Sequence, residues 1–339
     1  MAAGIRALRK IQLVKESPAG TLNTTATARL IGTLGMQLDQ KYYRPEDLET
    51  GKLSSFERSY IVGEQANLPF ASDANYEQLG YLLGMSVIGG IAGGGATDGT
   101  YTRTYKPSII AANAPDTYSI QYGDDVQAFI SGFCYSPDLE LSGSLDDAVK
   151  VKANIVGQNV RTSTFTSLAN PTVLTPVIVG TGKLYINDTW AHMIANTTNI
   201  AATLIDFSYK VTAGINPIKY IDGNIYFSER AEKKRHVELE MTLAFTSATA
   251  GYFTSYYIAS PQGARFIRLE FTGPIQGGGT THALLDLDGC FILDGYPTIT
   301  ERDGQDIVKL KYMSMYDPTA PADTNEWEII LRNAVSALP

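Results

Sequence analysis

Cysteine and histidine are scarce in this 339-residue chain, which has 2 Cys and 3 His. Two cysteines are too few for a disulfide framework. Cys134 and Cys290 lie at near-equivalent places in two stretches that resemble each other, so we expect two buried, unbonded thiols. His192, His236 and His282 lie far apart and outside any HxxxH or HExxH spacing. The sequence therefore predicts no metal site.

Long apolar runs and an excess of positive charge are also missing. No segment is long and apolar enough to cross a membrane, and MAAGIRALRKIQLVKE lacks the uninterrupted apolar run of a secretion signal. We therefore expect a protein made and kept in a cytoplasm, with no membrane partner. The net charge of -8 argues against a surface that grips nucleic-acid phosphates, since such a surface needs clustered Lys and Arg.

Motifs for catalysis or cofactor binding are absent as well. The glycine-rich run Gly84–Gly99 follows a helical segment and contains no Lys, which favours a flexible loop over a phosphate-binding loop. No Gly-x-Ser-x-Gly elbow occurs, and Cys134 has no His near it in sequence. The pairs Asp124-Asp125 and Asp146-Asp147 lack calcium-loop spacing and are typical of turns. We therefore predict a protein that is not an enzyme and binds no cofactor.

Residues that favour strands and turns are abundant, including 20 Tyr and 31 Gly. With 44% hydrophobic and 18% charged residues the composition is that of a globular protein. The length is typical of one large or two ordinary domains. The composition thus predicts a mainly β fold, with two domains favoured.

An internal repeat supports two domains. The stretch Gly132–Gly157 resembles Gly289–Met315, with Val149-Lys150 matching Val308-Lys309. Upstream, 59–83 parallels 235–259, and each segment holds a strand, ending in Leu68-Pro69-Phe70 or Leu243-Ala244-Phe245, before a short helix. We therefore predict domains at 8–165 and 178–335, joined by a proline-containing linker at 166–177.

Within each copy, apolar and polar residues alternate with the period of a β-strand. Val149, Val151, Ala153 and Ile155 share one face in the first copy, as do Val308, Leu310, Tyr312 and Ser314 in the second. The lysines between them, Lys150 and Lys152 or Lys309 and Lys311, point the other way. We expect both lysine pairs to lie on equivalent outer surfaces.

Three segments in order, IRALRKIQLVKESPAGT, YYRPEDLETGKLSSFERSYIVGEQANLPF and NYEQLGYLLGMSV, resemble the tail tube (major tail) protein of long-tailed bacteriophages. The resemblance implies two tandem β-sandwich or half-barrel domains, each with a short flanking α-helix. It also implies inner sheets that join between neighbours around a channel. Rings of such subunits stack into the virion tail, which is assembled in the host cytoplasm with tape measure and terminator proteins.

The repeat gives this resemblance a specific form. If one chain carries two tube domains, three chains make a pseudo-sixfold ring where single-domain relatives use six. Six chains with a decorating second domain are the alternative. Exposed strand edges suit ring closure, because pairing with a neighbour satisfies their free backbone groups.

Two sets of residues are candidates for function in such a ring. DNA passes the lumen without specific binding, and an acidic lining would repel its phosphates. The candidates for that lining are Asp124, Asp125, Asp138, Glu140, Asp286 and Asp288. A charged projecting loop is the candidate for contact between stacked rings, through Arg44, Glu46, Asp47, Glu49 and Lys52.

Two other functions remain open from the sequence. A tail completion or neck protein of the same assembly would form closed rings that do not polymerise. A bacterial β-rich adhesion or carbohydrate-binding module would need export and an exposed aromatic patch, and no signal segment is evident. A hydrolase is a formal possibility without any supporting motif.

Overall fold

The computed structural model describes residues 6–45, 58–94, 98–171, 174–195, 200, 203–253, 263–276, 278–318 and 326–338. Strands make up 53% of the structure and helices 8%, and the strands pair in antiparallel fashion. The prediction of a mainly β fold is therefore confirmed.

The first half of the chain contributes ten of the described strands and one α-helix. They are β1 (Lys10–Lys15), β2 (Ala28–Leu30), β3 (Thr33–Leu34), β4 (Gln37–Tyr43), β5 (Tyr60–Asp73), α1 (Leu79–Ser86), β6 (Tyr101–Tyr105), β7 (Tyr118–Gly123), β8 (Ala128–Ser144), β9 (Lys150–Gly157) and β10 (Arg161–Ser163). A short 3-10 turn, Arg6–Leu8, precedes β1.

The second half contributes the remaining described strands and two α-helices. They are β11 (Gly182–Asn187), α2 (Trp190–Ile194), β12 (Leu204–Thr212), β13 (Ile215–Ile218), β14 (Glu229–Glu232), β15 (His236–Ala244), α3 (Ser247–Phe253), β16 (Arg265–Ile275), β17 (His282–Leu293), β18 (Thr298–Arg302), β19 (Gln305–Ser314) and β20 (Trp327–Asn333). A second 3-10 turn, Val179–Thr181, leads into β11.

The two halves repeat one pairing pattern. In the first, β5 pairs with β9, β9 with β8, and β8 with β7, which pairs with β1. In the second, β15 pairs with β19, β19 with β17 and β18, and β17 with β16, which pairs with β11. Helices α1 and α3 follow the corresponding strands β5 and β15.

One continuous sheet runs through both halves, and we call it the long sheet. Its strand order is β3 and β4, then β5, β9, β8, β12, β15, β19 and β18. Each half also has an outer sheet, β2-β1-β7-β8-β10 in the first and β11-β16-β17-β20-β6 in the second. The long strand β8 bends at a bulge between Tyr135 and Asp138 and so belongs to both layers.

The main hydrophobic core lies between the layers and extends through both halves. The faces predicted from alternation are confirmed, since Val149, Val151, Leu310 and Tyr312 are all buried in it. Fully burying each such side chain contributes about 1.5–3 kcal/mol. Because this core is shared, the two copies do not form separate globular units.

The segment predicted as a linker is built into that shared structure. The backbone N–H of Val177 donates to the carbonyl of Ala74 at 2.9 Å, and Val149 N–H donates to the Val177 carbonyl at 2.8 Å. The pairing of β6 with β20 ties residues from the first half to the last strand. The boundaries near 166–177 therefore mark a repeat of topology within one folded body.

The strand pairing also corrects the alignment of the two copies. Lys150 pairs with Asp73, and the matching Lys309 pairs with Thr242, so Asp73 corresponds to Thr242. Leu68 then corresponds to Val237, six residues before the sequence match at Leu243. The sequence match was therefore wrong by six residues. A shift by an even number keeps every apolar side chain on the same face, so the alternation pattern does not reveal it.

Candidate functional site

The two halves meet at one pair of strands, which we call the internal seam. Here β8 and β12 pair antiparallel, from Asp138 opposite Thr212 to Ser144 opposite Asp206. On the core side Gly143 lies opposite Phe207, and a Cβ at Gly143 would come within 2.7 Å of the Phe207 ring. The absence of a side chain at Gly143 thus gives room for Phe207.

The long sheet ends in two edge strands. In the part of the chain that the structure describes, β18 pairs only with β19, and β3 and β4 pair only with β5. All residues of β18 and nearly all of β4 are exposed. Unpaired edges present backbone donors and acceptors that readily pair with another chain.

These edges are the counterparts of the two strands in the internal seam. Strand β12 pairs with β15 as β3 and β4 pair with the corresponding strand β5. Strand β18 pairs with β19 as the end of β8 pairs with β9. Each type of edge is therefore covered once inside the chain and left open once.

The face of the long sheet that points away from the core is polar and carries alternating charges. Directly paired residues form the row Lys152, Glu140, Lys210 and Glu238 across β9, β8, β12 and β15. Lys152 Nζ lies 3.8 Å from Glu140 Oε2. This row crosses the internal seam without interruption, so the polar face is shared by both halves.

Ion pairs hold further lysines of this face. Lys150 Nζ lies 2.7 Å from Asp73 Oδ1. Lys311 Nζ lies 3.5 Å from Glu238 Oε2 and 3.7 Å from Glu240 Oε1, and Glu238 is the main cause that raises the pKa of Lys311. Exposed pairs of this kind stabilise the fold little, but they place a carboxylate beside each of these lysines.

The long side chain of Arg302 reaches across the polar face in the second half. Arg302 Nη1, on the edge strand β18, lies 3.2 Å from Asp206 Oδ2 on β12, with β19 and β15 between them. Grooves of about 510 and 330 Å³ lie on this face, one in each half.

Asp138 and Glu140 are the two predicted lining residues that lie on this face, both on β8. Asp124 and Asp125 lie in the turn between β7 and β8 of the first outer sheet. Asp124 accepts hydrogen bonds from the backbone N–H groups of Val126 and Gln127, which lower its pKa. The interpretation of this Asp pair as a turn is confirmed, and the turn lies away from the polar face of the long sheet.

Asp286 and Asp288 were also wrongly assigned to the lining, since their side chains are buried at 4% and 0% exposure. They lie on β17, on the face of the second outer sheet away from the main core. Arg268 holds Asp288 through Nε at 2.8 Å and Nη2 at 2.6 Å. The period-two pattern marks them as facing away from the core but does not show that neighbouring side chains cover them.

The polar face of the long sheet is balanced in charge. The charged residues that the strand pairing puts on the polar face are Asp39, Asp73, Asp138, Glu140, Asp206, Glu238 and Glu240 with Lys41, Lys150, Lys152, Lys210, Arg302, Lys309 and Lys311. Carboxylates and cations are equal in number. The predicted placement of both lysine pairs on this face is confirmed.

Of the predicted contact loop, only Arg44 lies among the described residues, while Glu46, Asp47, Glu49 and Lys52 lie outside them. The Arg44 guanidinium lies 5.3 Å from the centre of the Tyr42 ring. The hairpin stem below this loop has exposed apolar side chains that the sequence analysis did not single out, namely Tyr42, Tyr43, Tyr60, Ile61 and Val62. Tyr60, Ile61 and Val62 form an apolar run without alternation, and this run was the sequence signal for an exposed apolar patch.

The hairpin β13–β14 is the counterpart of this stem in the second half. It continues the β12–β15 pair beyond Thr212 and His236, just as the stem forms the far end of the β4–β5 pair. Unlike the stem it is covered, because Ile215 and Phe227 are buried against Phe133 and Tyr135 of the first half. The hairpin of one copy therefore lies across the other copy.

The remaining features carry no chemistry that we can assign. Cys134 and Cys290 are free and buried, as predicted, but Cys134 faces the main core while Cys290 packs with Trp190 near α2. Among the described residues no group of His, Cys, Asp and Glu has the geometry to hold a metal ion. No described helix has the length and apolar character needed to cross a membrane.

No protein-family model matches this chain, and no curated protein matches it significantly.

Proposed function

We propose that this chain is a structural subunit of a bacteriophage tail tube, which assembles with copies of itself into stacked rings around a channel for DNA. The observation that carries the proposal is the internal seam. Two copies of one β-topology are joined edge to edge, and the outer edges of the joined pair correspond to the edges already used inside. A chain built in this way has the surfaces to repeat the join with the next chain.

The polar face of the long sheet suits the lining of such a channel. It extends across both copies and joins at the seam without a break. If three chains contribute their long sheets, about 24 tilted strands at a spacing of 4.8 Å enclose a ring roughly 40–50 Å across at the backbone. Porins with 16–18 strands already leave an aqueous channel.

A ring of three chains is favoured over a ring of six. The second copy contributes strands to the same sheet as the first, so it takes a position in the ring instead of decorating it. A pseudo-sixfold homotrimer follows, and stacking of such trimers gives the tube. Tape measure and terminator proteins are the further tail partners expected in this proposal, with the virion tail as the location.

Balanced charge on the polar face suits passage of DNA without specific binding. A face that grips phosphates must offer free Lys and Arg. Here carboxylates accompany Lys150, Lys152 and Lys311. The lining is therefore proposed to be neutral and ion-paired, and not acidic as we first expected.

Negative-stain electron microscopy of the purified chain, over a range of concentrations, tests the proposal. We expect end-on views with threefold symmetry and six similar lobes, and side views of stacked tubes at high concentration. Native mass spectrometry should give three times the 36.8 kDa chain mass. A chain that remains monomeric at all concentrations contradicts the proposal.

A tail completion or neck protein is the second candidate function. It needs the same open edges and the same ring closure, so the edge strands favour it equally. The difference lies in stacking. Closed rings that never form tubes, even at high concentration, would favour this second function.

A further inference from the structure

We infer that the contact between neighbouring chains copies the internal seam residue by residue, with β18 of one chain paired antiparallel to β3 of the next and Thr298 directly opposite Thr33. This inference rests on the proposed ring assembly, but it specifies one register that the assembly alone does not require. It follows from the strand pairing in four steps.

The first step places β18 on the position of the seam strand β8. Ser142 of β8 pairs with Lys150 of β9. Thr298 of β18 pairs with Lys309 of β19. Because Lys150 and Lys309 correspond in the two copies, Thr298 takes the place of Ser142, and the next residue, Ile299, takes the place of Gly143.

The second step places β3 on the position of the other seam strand, β12. Ser208 of β12 pairs with Glu240 of β15, and Thr33 of β3 pairs with Ala71 of β5. Ala71 corresponds to Glu240, since Asp73 corresponds to Thr242 two residues further on. Thr33 therefore takes the place of Ser208, and Gly32 takes the place of Phe207.

The third step joins these positions across chains. In the internal seam Ser142 lies opposite Ser208. The same register between chains puts Thr298 opposite Thr33, so both contacts have a pair of hydroxyl side chains on the polar face. Both threonines are exposed in the single chain.

The fourth step concerns the core side of the contact. In the internal seam Gly143 lies opposite Phe207. Between chains the register puts Ile299 opposite Gly32, so a glycine again faces a large apolar side chain, with the two strands exchanging roles. A Cβ at Gly32 would come within 2.8 Å of the Phe70 ring, so glycine is also the residue that its own chain requires there.

Backbone groups support this register. The N–H of Gly35 donates to the Pro69 carbonyl of β5 at 2.9 Å. Since antiparallel strands direct alternate residues to alternate sides, Gly32 and Leu34 point their backbone groups toward the open side. Thr33 then forms a non-hydrogen-bonded pair with Thr298, the kind with the shorter Cα separation of about 4.5 Å.

The exposed hairpin stem extends the same contact. Its counterpart β13–β14 lies across the first copy, with Ile215 and Phe227 buried there. By the same correspondence the stem, with Tyr42 and Tyr60, lies across the second copy of the neighbouring chain whose β18 pairs with its β3. This places Arg44, at the end of the stem, at a contact within a ring, where we first expected a contact between rings.

Disulfide cross-linking tests the register directly. The variant Thr33→Cys with Thr298→Cys, oxidised after assembly, should give covalent dimers and trimers on a non-reducing gel, with the trimer as the largest species. The Cα separation of a directly opposite pair lies within the disulfide range of 4.4–6.8 Å. The native thiols, Cys134 and Cys290, are buried, and oxidised wild type controls for them.

A matched control moves one cysteine to the neighbouring strand. Lys309 lies in the same row as Thr298 but about 4.8 Å further from the edge, so Lys309→Cys with Thr33→Cys should not cross-link. Single variants Thr33→Cys and Thr298→Cys should give no trimer. Circular dichroism of each variant checks that the fold is kept.

The outcomes separate the register from the ring. Rings in the microscope without the Thr33–Thr298 cross-link overturn the register and leave the proposed function standing. A ladder that continues past three chains supports the register and overturns the closed trimer. A disulfide that forms within one chain, so that the gel shows only the single-chain mass, overturns the inferred contact. The contact is also overturned if the variant neither assembles nor cross-links.

Discussion

The internal seam and the open edges of the long sheet are made of corresponding strands in different surroundings. At the seam, β8 and β12 cover each other and Phe207 is buried over Gly143. At the edges, β18 and β3 carry the same kinds of residues, but Ile299 is 46% exposed. Corresponding strands therefore stabilise the fold in one copy and leave an open edge in the other.

This comparison assigns different consequences to corresponding residues. A change at the seam acts on folding, because the strands are joined in every chain. A change at an edge is expected to act on the proposed assembly, because the single chain does not use that edge.

The largest effect is expected from Gly143→Val at the seam. A Cβ there would lie 2.5 Å from Val179 Cγ2 and 2.7 Å from Phe207 Cε1, so the strands must shift. Overpacking of this kind costs about 1–3 kcal/mol. Thermal unfolding should show a lower Tm, by roughly 2–4 °C per kcal/mol. An unchanged Tm would contradict the contrast.

The corresponding change at the edge is Ile299→Asp. Because Ile299 is exposed in the single chain, we expect its Tm to stay within about 1 °C of wild type. Assembly should weaken at least roughly tenfold, since a charge would be buried in the contact between chains. Sedimentation velocity measures the assembly. Normal rings from Ile299→Asp would show that β18 is not part of the contact.

A smaller effect is expected at the buried carboxylates of the second outer sheet. Oδ1 of Asp286 has no hydrogen-bond partner among the described residues. Burial, and then the charge of Asp288, raise the pKa of Asp286. The folded state therefore binds this proton more tightly than the unfolded state, and stability is lost as the pH rises from about 4 through the raised pKa.

Asp286→Asn removes this proton equilibrium while keeping the shape of the side chain. We expect a higher Tm than wild type at pH 8 and a much smaller difference at pH 5, because most of the stability loss lies between these two pH values. Thermal unfolding at the two pH values provides the measurement. Asp303→Asn, at an exposed turn, serves as the control with the same charge change. Equal Tm differences at both pH values would argue that Asp286 is charged in the fold.

The smallest effect is expected on the polar face. Glu140→Gln with Glu238→Gln removes the carboxylate beside Lys152 and the nearest of the carboxylates beside Lys311, and it leaves Lys210 between two amides. Affinity for a short DNA duplex should rise, and the salt dependence should steepen by roughly 0.9 for each lysine that gains a phosphate. Fluorescence anisotropy at several salt concentrations measures both.

The matched control for this variant is Asp124→Asn with Asp125→Asn. It changes the net charge equally, but its residues lie in the turn of the first outer sheet. If the control raises DNA affinity as much as the polar-face variant, net charge alone is responsible. Lys152 and Lys311 would then have no specific role.

Some of this organisation was present in local sequence patterns. The alternation around Val149 and Val308 predicted the buried faces, because a strand turns successive side chains to opposite sides. The similarity of Gly132–Gly157 to Gly289–Met315 predicted the repeat. Residues such as Asp124 were predicted as turn formers, because their side chains bond to backbone N–H groups close by in the chain.

The rest depended on contacts between residues far apart in the chain. Alternation states which residues share a face, but not which strand lies beside which, so the shared sheet and core of the two copies were not foreseen. The register of β5 against β15 was wrong by six residues, because hydrophobic period two is unchanged by an even slip. The charge pattern of Lys152, Glu140, Lys210 and Glu238 exists only after four separate strands are paired.

By itself, then, the sequence determined the class of fold, the duplication and the inward faces of the strands, all of which follow from residue types and spacing along the chain. Only the tertiary structure decided that Asp286 and Asp288 are buried, that the polar face is balanced in charge, and that one copy of each edge is covered. These properties depend on which strands become neighbours. That choice depends on the packing of the whole core, which no local stretch of sequence specifies.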